Sequence, residues 1–218
     1  MGQGGDWGAI ITDLMAAQAP PGLIGMHTSL ACAVPPEIDK LIWAGKPLPS
    51  DLSADEKLAC DRLAFLSKNV QYALYMASRP QTLYGIADSP VGLAAWLLDH
   101  DPRSLEMIAR SFDGVPEGLT RDDVLDNCTH FWLTNTGVSP AGLYRENTHW
   151  LSPNGVKIPV AVSVFPDEVY QSPLSWAEKA YPNLVHFNKV PKGCHFAAWE
   201  QPMIFTEELR AGLRSLRK

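Results

Sequence analysis

The chain has 218 residues, 46% hydrophobic and 19% charged, the composition of an ordinary globular protein of one or two domains. Its formal charge of −6 comes with no basic cluster, which excludes the concentrated Lys/Arg footprint of nucleic-acid binding; Arg214, Arg217 and Lys218 read as helix-end charges complementing a dipole. Cys32, Cys60, Cys128 and Cys194 lack CxxC spacing, no apolar run nears the ~18 residues of a membrane span, and there is no basic-then-apolar signal peptide.

Reduced thiols and a cytoplasmic location are therefore expected, without a disulfide framework or zinc site. In chain order, Gly4-Gly5-Asp6-Trp7-Gly8 comes first and reads as a nucleophile elbow with aspartate in the nucleophile position. The same run also fits a plain turn followed by an Asp N-cap. Trp7 to Gln18 has helical spacing and ends at Pro20-Pro21. Leu23 to Met26 is a short apolar run suited to a buried strand. Residues 35–50 are Pro-rich and loop-like. Ser53 with Glu56 forms a capping box that opens a long amphipathic helix continuing to Ala77. Ser89-Pro90, Thr120 with Asp123, and Ser139-Pro140 mark further helix starts. After this helical stretch, Ile158 to Phe165 reads as an interior strand. Ser172-Pro173 opens another helix, Leu184 to Val190 is a second strand, and Gln201 to Leu216 a closing helix. Strand–helix–strand–helix order implies a parallel sheet.

The expected fold class is thus α/β: a core built on a parallel sheet with crossover helices, interrupted by an all-helical lid. Residues 1–34 would be a core remnant carrying the elbow, 35–150 the lid, and 151–218 the rest of the core.

Glycines on both sides of Asp6 suit a strained turn that holds its carboxylate at a helix N-terminus. Where serine would make an acyl ester, a carboxylate attacks an sp³ carbon and leaves an alkyl ester. Phe165-Pro166-Asp167-Glu168 follows the first late strand, and Gly193-Cys194-His195-Phe196 follows the next. Acids and histidines at the C-terminal ends of parallel strands sit where such sheets bind ligands. The order nucleophile, acid, histidine is that of the α/β-hydrolases. Taken singly, Glu168 also reads as a surface acid and His195 as a packed loop residue. His27, His100, His130, His149 and His186 have no metal-ligand spacing and read as surface or packing residues, and the tryptophans as packing.

Together, GGDWG, DSPVGLAAWLLDHD (Asp88 to Asp101), YREN (Tyr144 to Asn147), FPDE and GCHFAAWEQP (Gly193 to Pro202) resemble the microsomal-type epoxide hydrolases, in particular their soluble bacterial relatives. The resemblance runs through essentially the whole chain. It implies that Asp6 is the nucleophile, His195 the general base, and Glu168, preferred to Asp167, the acid that orients the histidine. It implies that two lid tyrosines, Tyr72 and Tyr144, donate to the epoxide oxygen, with Tyr75 and Tyr84 as nearby decoys. The backbone N–H of Trp7 would supply one oxyanion donor. The substrate would be a small hydrophobic epoxide together with water. No metal or organic cofactor is implied, no nucleic acid is a partner, the chain has no membrane segment, and assembly as a homodimer is left open.

The HGxP-type motif that supplies a second oxyanion donor in this fold is absent from the sequence. The expectation that the resemblance implies is therefore the C-terminal portion of an epoxide hydrolase, an incomplete α/β-hydrolase core with impaired activity, or a start-site error. Two other classes compete: a haloalkane or haloacetate dehalogenase, which also uses an elbow aspartate but binds halide with Trp or Asn, and a non-enzymatic helical interaction module.

Overall fold

The structure, a computed structural model, describes residues 1–115, 118–147 and 151–217. His149, Trp150 and Lys218, read above as packing or helix-end residues, lie outside the described residues. The order is β1 (Gly2–Gly4), α1 (Asp6–Gln18), β2 (Met26–Thr28), α2 (Pro36–Trp43), α3 (Ala54–Asn69), α4 (Gln71–Ser78), α5 (Tyr84–Asp88), α6 (Pro90–Leu98), α7 (Pro102–Phe112), α8 (Arg121–Thr134) and α9 (Ala141–Glu146). Then come β3 (Val160–Val164), α10 (Leu174–Ala180), β4 (Leu184–Lys189), α11 (Ala197–Glu200) and α12 (Pro202–Gly212). Two compact units result, at boundaries other than 35 and 150: Met1–Ser67 with His149–Lys218, and Lys68–Thr148. Residues 35–67 group with the strands because Ile38 and Ile42 of α2 and Ala59, Cys60 and Leu63 of α3 are buried in the strand-bearing core.

That unit holds a four-stranded, all-parallel sheet in the order β1-β2-β3-β4. All five residues of β3 are buried, as its β-branched run predicts for an interior strand. Trp176, Ala177 and Ala180 of α10 pack with Val160, Val162 and Val164 in the core. The early strand begins later than Leu23. Gly22 turns at φ +92°, Ile24 is exposed, and pairing with β1 and β3 starts at Met26. Proline misleads at α2, where Pro36 occupies the first helical turn, a position that needs no N–H. The single long helix expected from Ser53 is two, interrupted at Val70 (φ −83°, ψ 71°).

Local caps behave as their chemistry dictates. Ser53 and Glu56 exchange reciprocal bonds, as do Thr120 and Asp123, and Ser89 Oγ accepts from Gly92 N–H. Ser139 differs: its hydroxyl donates to Thr136 O, and α9 begins without a side-chain cap. Among the described residues, no strand falls between 35 and 147, and no helix is long and apolar enough to cross a membrane.

Under the sheet, Glu208 of α12 gathers the strands. It accepts from Ser163 of β3 (2.7 Å) and from His186 (3.0 Å) and Asn188 (2.8 Å) of β4. Ser163 Oγ in turn lies 2.9 Å from His27 Nε2 of β2, whose ring packs edge-on against Phe205. Burial pushes the His27 imidazole down to about 4, outweighing the nearby Glu208 carboxylate. The unfolded chain, with an ordinary value near 6.5, therefore binds more protons between about pH 6.5 and 4. Stability from His27 is complete above 6.5 and falls by about 3 kcal/mol as pH drops through that window. Urea unfolding across these pH values should show a flatter acid-side loss in His27→Gln than in the parent; identical slopes would mean that His27 does not titrate as its burial requires.

Candidate active site

The elbow is built from glycine where glycine is needed. A Cβ on Gly4 would stand 2.1 Å from the carbonyl oxygen of Gly8, against rigid helix backbone. Gly8 itself faces open space, so the close approach between the two residues is carried by Gly4 rather than by both glycines. Between them Asp6 adopts φ +48°, a left-handed conformation uncommon for any side-chain-bearing residue. This geometry lifts the carboxylate off the start of α1, and its side chain is 51% exposed. Trp7 follows in the first turn, where backbone N–H groups point out of a helix N-terminus.

Two further strand ends supply the partners. Beyond β3, Phe165 and Pro166 lead to Asp167, whose N–H donates to Gly193 O across a parallel bridge between Asp167 and Cys194. That bridge fastens the loop after β3 to the loop after β4, and so sets Glu168 against His195. Gly193 has φ +121°, and a Cβ there would meet the Phe165 ring at 2.6 Å. Glu200 of α11 accepts from both the amide (2.9 Å) and the thiol (2.6 Å) of Cys194, holding the same loop from behind.

Of the two neighbouring acids, the side chain that reaches the imidazole is Glu168. Its Oε1 lies 2.6 Å from His195 Nδ1 and 2.7 Å from the amide of Val169. Both side chains are almost wholly buried, at 1% and 2% exposure. A carboxylate oxygen can only accept there, which assigns the proton to Nδ1 and turns Nε2 towards Asp6 Oδ1, 3.6 Å away. Phe196 packs edge-on against the His195 ring. The structure thus joins Asp6, His195 and Glu168 at the C-terminal ends of three parallel strands. Such a chain can hold an imidazole in one tautomer and deprotonate a water beside a carboxyl carbon.

The helical unit, taken by itself, pairs the two predicted tyrosines. The rings of Tyr72 (α4) and Tyr144 (α9) meet edge-on with centroids 5.8 Å apart. Tyr75 and Tyr84 are exposed on their helices. His100, read from the sequence as a surface or packing residue, is part-buried beside the Tyr72 ring, with Nε2 3.3 Å from the Tyr72 hydroxyl and Nδ1 2.7 Å from Asp101 Oδ2. The available signal was the Asp101-Pro102 pair, an N-cap ahead of a first-turn proline that fixes a carboxylate next to His100. His27 and His186 join the Glu208 network and His130 is exposed. Among the described residues, no group of three or more His, Cys, Asp or Glu is placed to hold a metal.

No protein-family model matches the chain. It is similar to a Stigmatella aurantiaca (strain DW4/3-1) protein bearing an epoxide hydrolase name, at 39% identity over 99% of this chain and 47% of that protein. It is also similar to epoxide hydrolase 1 of Oryctolagus cuniculus, at 29% identity over 95% and 49%. Among solved structures, juvenile hormone epoxide hydrolase from the silkworm Bombyx mori matches with a TM-score of 0.78 and 28% identity, covering 99% of this chain and 55% of that one. Aspergillus niger epoxide hydrolase matches with a TM-score of 0.72 and 25% identity, covering 99% and 52%. The chain spans about half the length of the curated relatives it matches.

The elbow geometry separates its glycines experimentally. Gly4→Ala should cost at least ~2 kcal/mol, because helix backbone cannot yield, whereas Gly8→Ala should be neutral or stabilising by up to ~1 kcal/mol. Urea midpoints of the two variants check this; equal destabilisation would contradict the asymmetry.

Proposed function

We propose, for a chain homologous to epoxide hydrolases of the α/β-hydrolase type, that its site opens an epoxide to a diol through an ester formed on Asp6. The observation that carries the reading is the Asp6–His195–Glu168 chain, with its 3.6 Å and 2.6 Å separations. Had the elbow carried serine, the same chain would suit acyl transfer. With aspartate, the imidazole faces a carboxylate and cannot serve to activate a hydroxyl nucleophile.

In the first half-reaction an Asp6 oxygen attacks an epoxide carbon. The C–O bond breaks towards the ring oxygen, which becomes an alkoxide. Tyr72 and Tyr144 donate to it, and one of them gives up its proton. Phenols, with a pKa near 10, are acidic enough to protonate an alkoxide and remain protonated at neutral pH. In the second half-reaction His195 Nε2 takes a proton from water as the water oxygen attacks the Asp6 carboxyl carbon. Glu168, already bonded to Nδ1, stabilises the imidazolium. The oxyanion is held by the Trp7 N–H; on collapse the imidazolium proton passes to the departing alkoxide oxygen, the diol leaves, and the proton released as Asp6 returns to carboxylate makes good the one given up at ring opening. The apolar character of the helices favours a small hydrophobic epoxide.

On this reading the described residues supply one of the two oxyanion donors that such a step ordinarily uses, the Trp7 N–H. Loss of one donor costs roughly 10²–10³ in rate. The purified 218-residue chain should therefore open epoxides faster than it releases diol, with poor steady-state turnover.

Single-turnover consumption of styrene oxide, with protein in excess, tests the assignments. Asp6→Asn should abolish consumption, while Tyr72→Phe and Tyr144→Phe should each slow it by about 10². Unimpaired consumption in either tyrosine variant, together with release of halide from a haloalkane, would favour dehalogenation instead.

A further inference from the structure

The tyrosine assigned to the epoxide oxygen does not stand alone in the helical unit. Tyr72 Oη lies 3.3 Å from His100 Nε2, and the two rings approach with centroids 5.5 Å apart. On its other side His100 Nδ1 is 2.7 Å from Asp101 Oδ2. Asp101 is itself fixed. Its Oδ1 accepts the Arg103 and Ser104 amides at the start of α7, 2.9 Å each, and its Oδ2 also accepts the Ser104 hydroxyl at 2.6 Å. Burial pushes its carboxyl up, but the bonds from His100 and Ser104 together outweigh burial and hold it well below the usual carboxylate range. An ionised Asp101 can only accept, so Nδ1 carries a proton and Nε2 is the nitrogen that faces the phenol.

We propose that Asp101 and His100 form a proton relay behind Tyr72, with His100 as a positioning residue that sets where the phenol proton points and replaces it after use. The inference rests on the reading of Tyr72 as a donor to the epoxide oxygen. When Nε2 is bare, the phenol donates to it and the proton is turned away from any substrate. When Nε2 carries a proton, it donates to the phenol oxygen and leaves the phenol proton available to the alkoxide. Ring opening then transfers the Tyr72 O–H proton to the alkoxide oxygen. The Nε2–H bond breaks and the Tyr72 O–H re-forms, leaving a neutral imidazole and no phenolate. Hydrolysis of the Asp6 ester to carboxylate and alcohol releases one proton, which restores His100. No proton is gained or lost over the cycle. Among the described residues, the groups that face His100 include the Tyr72 hydroxyl from α4 and the Asp101 carboxylate ahead of α7. Tyr144 from α9 meets the relay through the Tyr72 ring.

The test uses the full 218-residue chain with its six tyrosines labelled at the phenolic carbon. Carbon NMR across a pH titration reads each phenol directly, and Tyr72→Phe assigns the Tyr72 signal. In the parent, the Tyr72 signal should move in two steps, the first set by its hydrogen bond to His100 and the second by ionisation of the phenol. His100→Gln should erase the first step, with the Tyr144 signal still present and circular dichroism unchanged. A Tyr72 signal with the same titration in parent and His100→Gln would overturn the relay, whatever the activity. The kinetic arm follows epoxide consumption in single turnover. His100→Gln should slow its maximal rate by about tenfold, with little change in half-saturating epoxide, and should remove one inflection from its pH profile. An unchanged pH profile overturns the relay. Full consumption by Tyr72→Phe overturns instead the prior reading of Tyr72 as donor, an outcome that the NMR arm keeps separate.

Discussion

Glu168 and His195 share a hydrogen bond that neither could keep in water at the same strength, and the loops after β3 and β4 hold it buried. Both side chains are nearly inaccessible, so the carboxylate must find its partners within, and Oε1 has two: the imidazole and the Val169 amide. Leaving a buried charge unpaired costs several kcal/mol, which makes the pair mutually dependent. The pair exists only because two loops are held in register. The Asp167–Gly193 backbone bond ties them together, Glu200 braces Cys194, and the Phe165 ring fills the space that a side chain at 193 would need. Strands β3 and β4, in turn, deliver those loops to the same edge because they run parallel.

Asp6 meets this pair from the opposite construction. His195 and Glu168 are buried and bonded to each other, whereas Asp6 is half-exposed and held in a left-handed backbone conformation. Such a conformation costs on the order of 1–3 kcal/mol and persists only where packing over-determines it. The packing here is the approach of Gly4 to the Gly8 backbone and the bond from Ser29 N–H to Gly4 O, which pins the elbow to the end of β2. On the reading given above, rigidity in the base and exposure in the nucleophile are complementary: one must not move, and the other must reach substrate.

Local chemistry made a good part of the fold legible. The capping boxes at Ser53 and Thr120 and the cap at Ser89 appear as their residue spacing requires, because a cap depends on three or four neighbouring residues. The strand Val160–Val164 is equally plain, since burial on both faces needs a continuous β-branched run. What failed was set at a distance. The start of β2 is chosen by the registers of β1 and β3, not by the apolarity of Leu23 and Ile24. Pro35-Pro36 resembles a loop until α2 is seen to bury Ile38 and Ile42. In the site, the order Asp6, Glu168, His195 along the chain foretold which residues would gather at one sheet edge. The contact of His100 with Tyr72 spans 28 positions and carries no motif; the Asp101-Pro102 cap sets a carboxylate beside that histidine but does not point to its tyrosine partner.

The account stands or falls on whether Asp6 becomes covalently attached to substrate. The most direct measurement is the intact mass of the 218-residue chain after brief exposure to styrene oxide, followed by peptide mapping. The account predicts a single added epoxide mass on the peptide containing Asp6, present as an ester that hydroxylamine removes. The adduct should accumulate further in His195→Gln, where water activation is lost. Diol formation with no adduct on Asp6, in the parent or in His195→Gln, would contradict it.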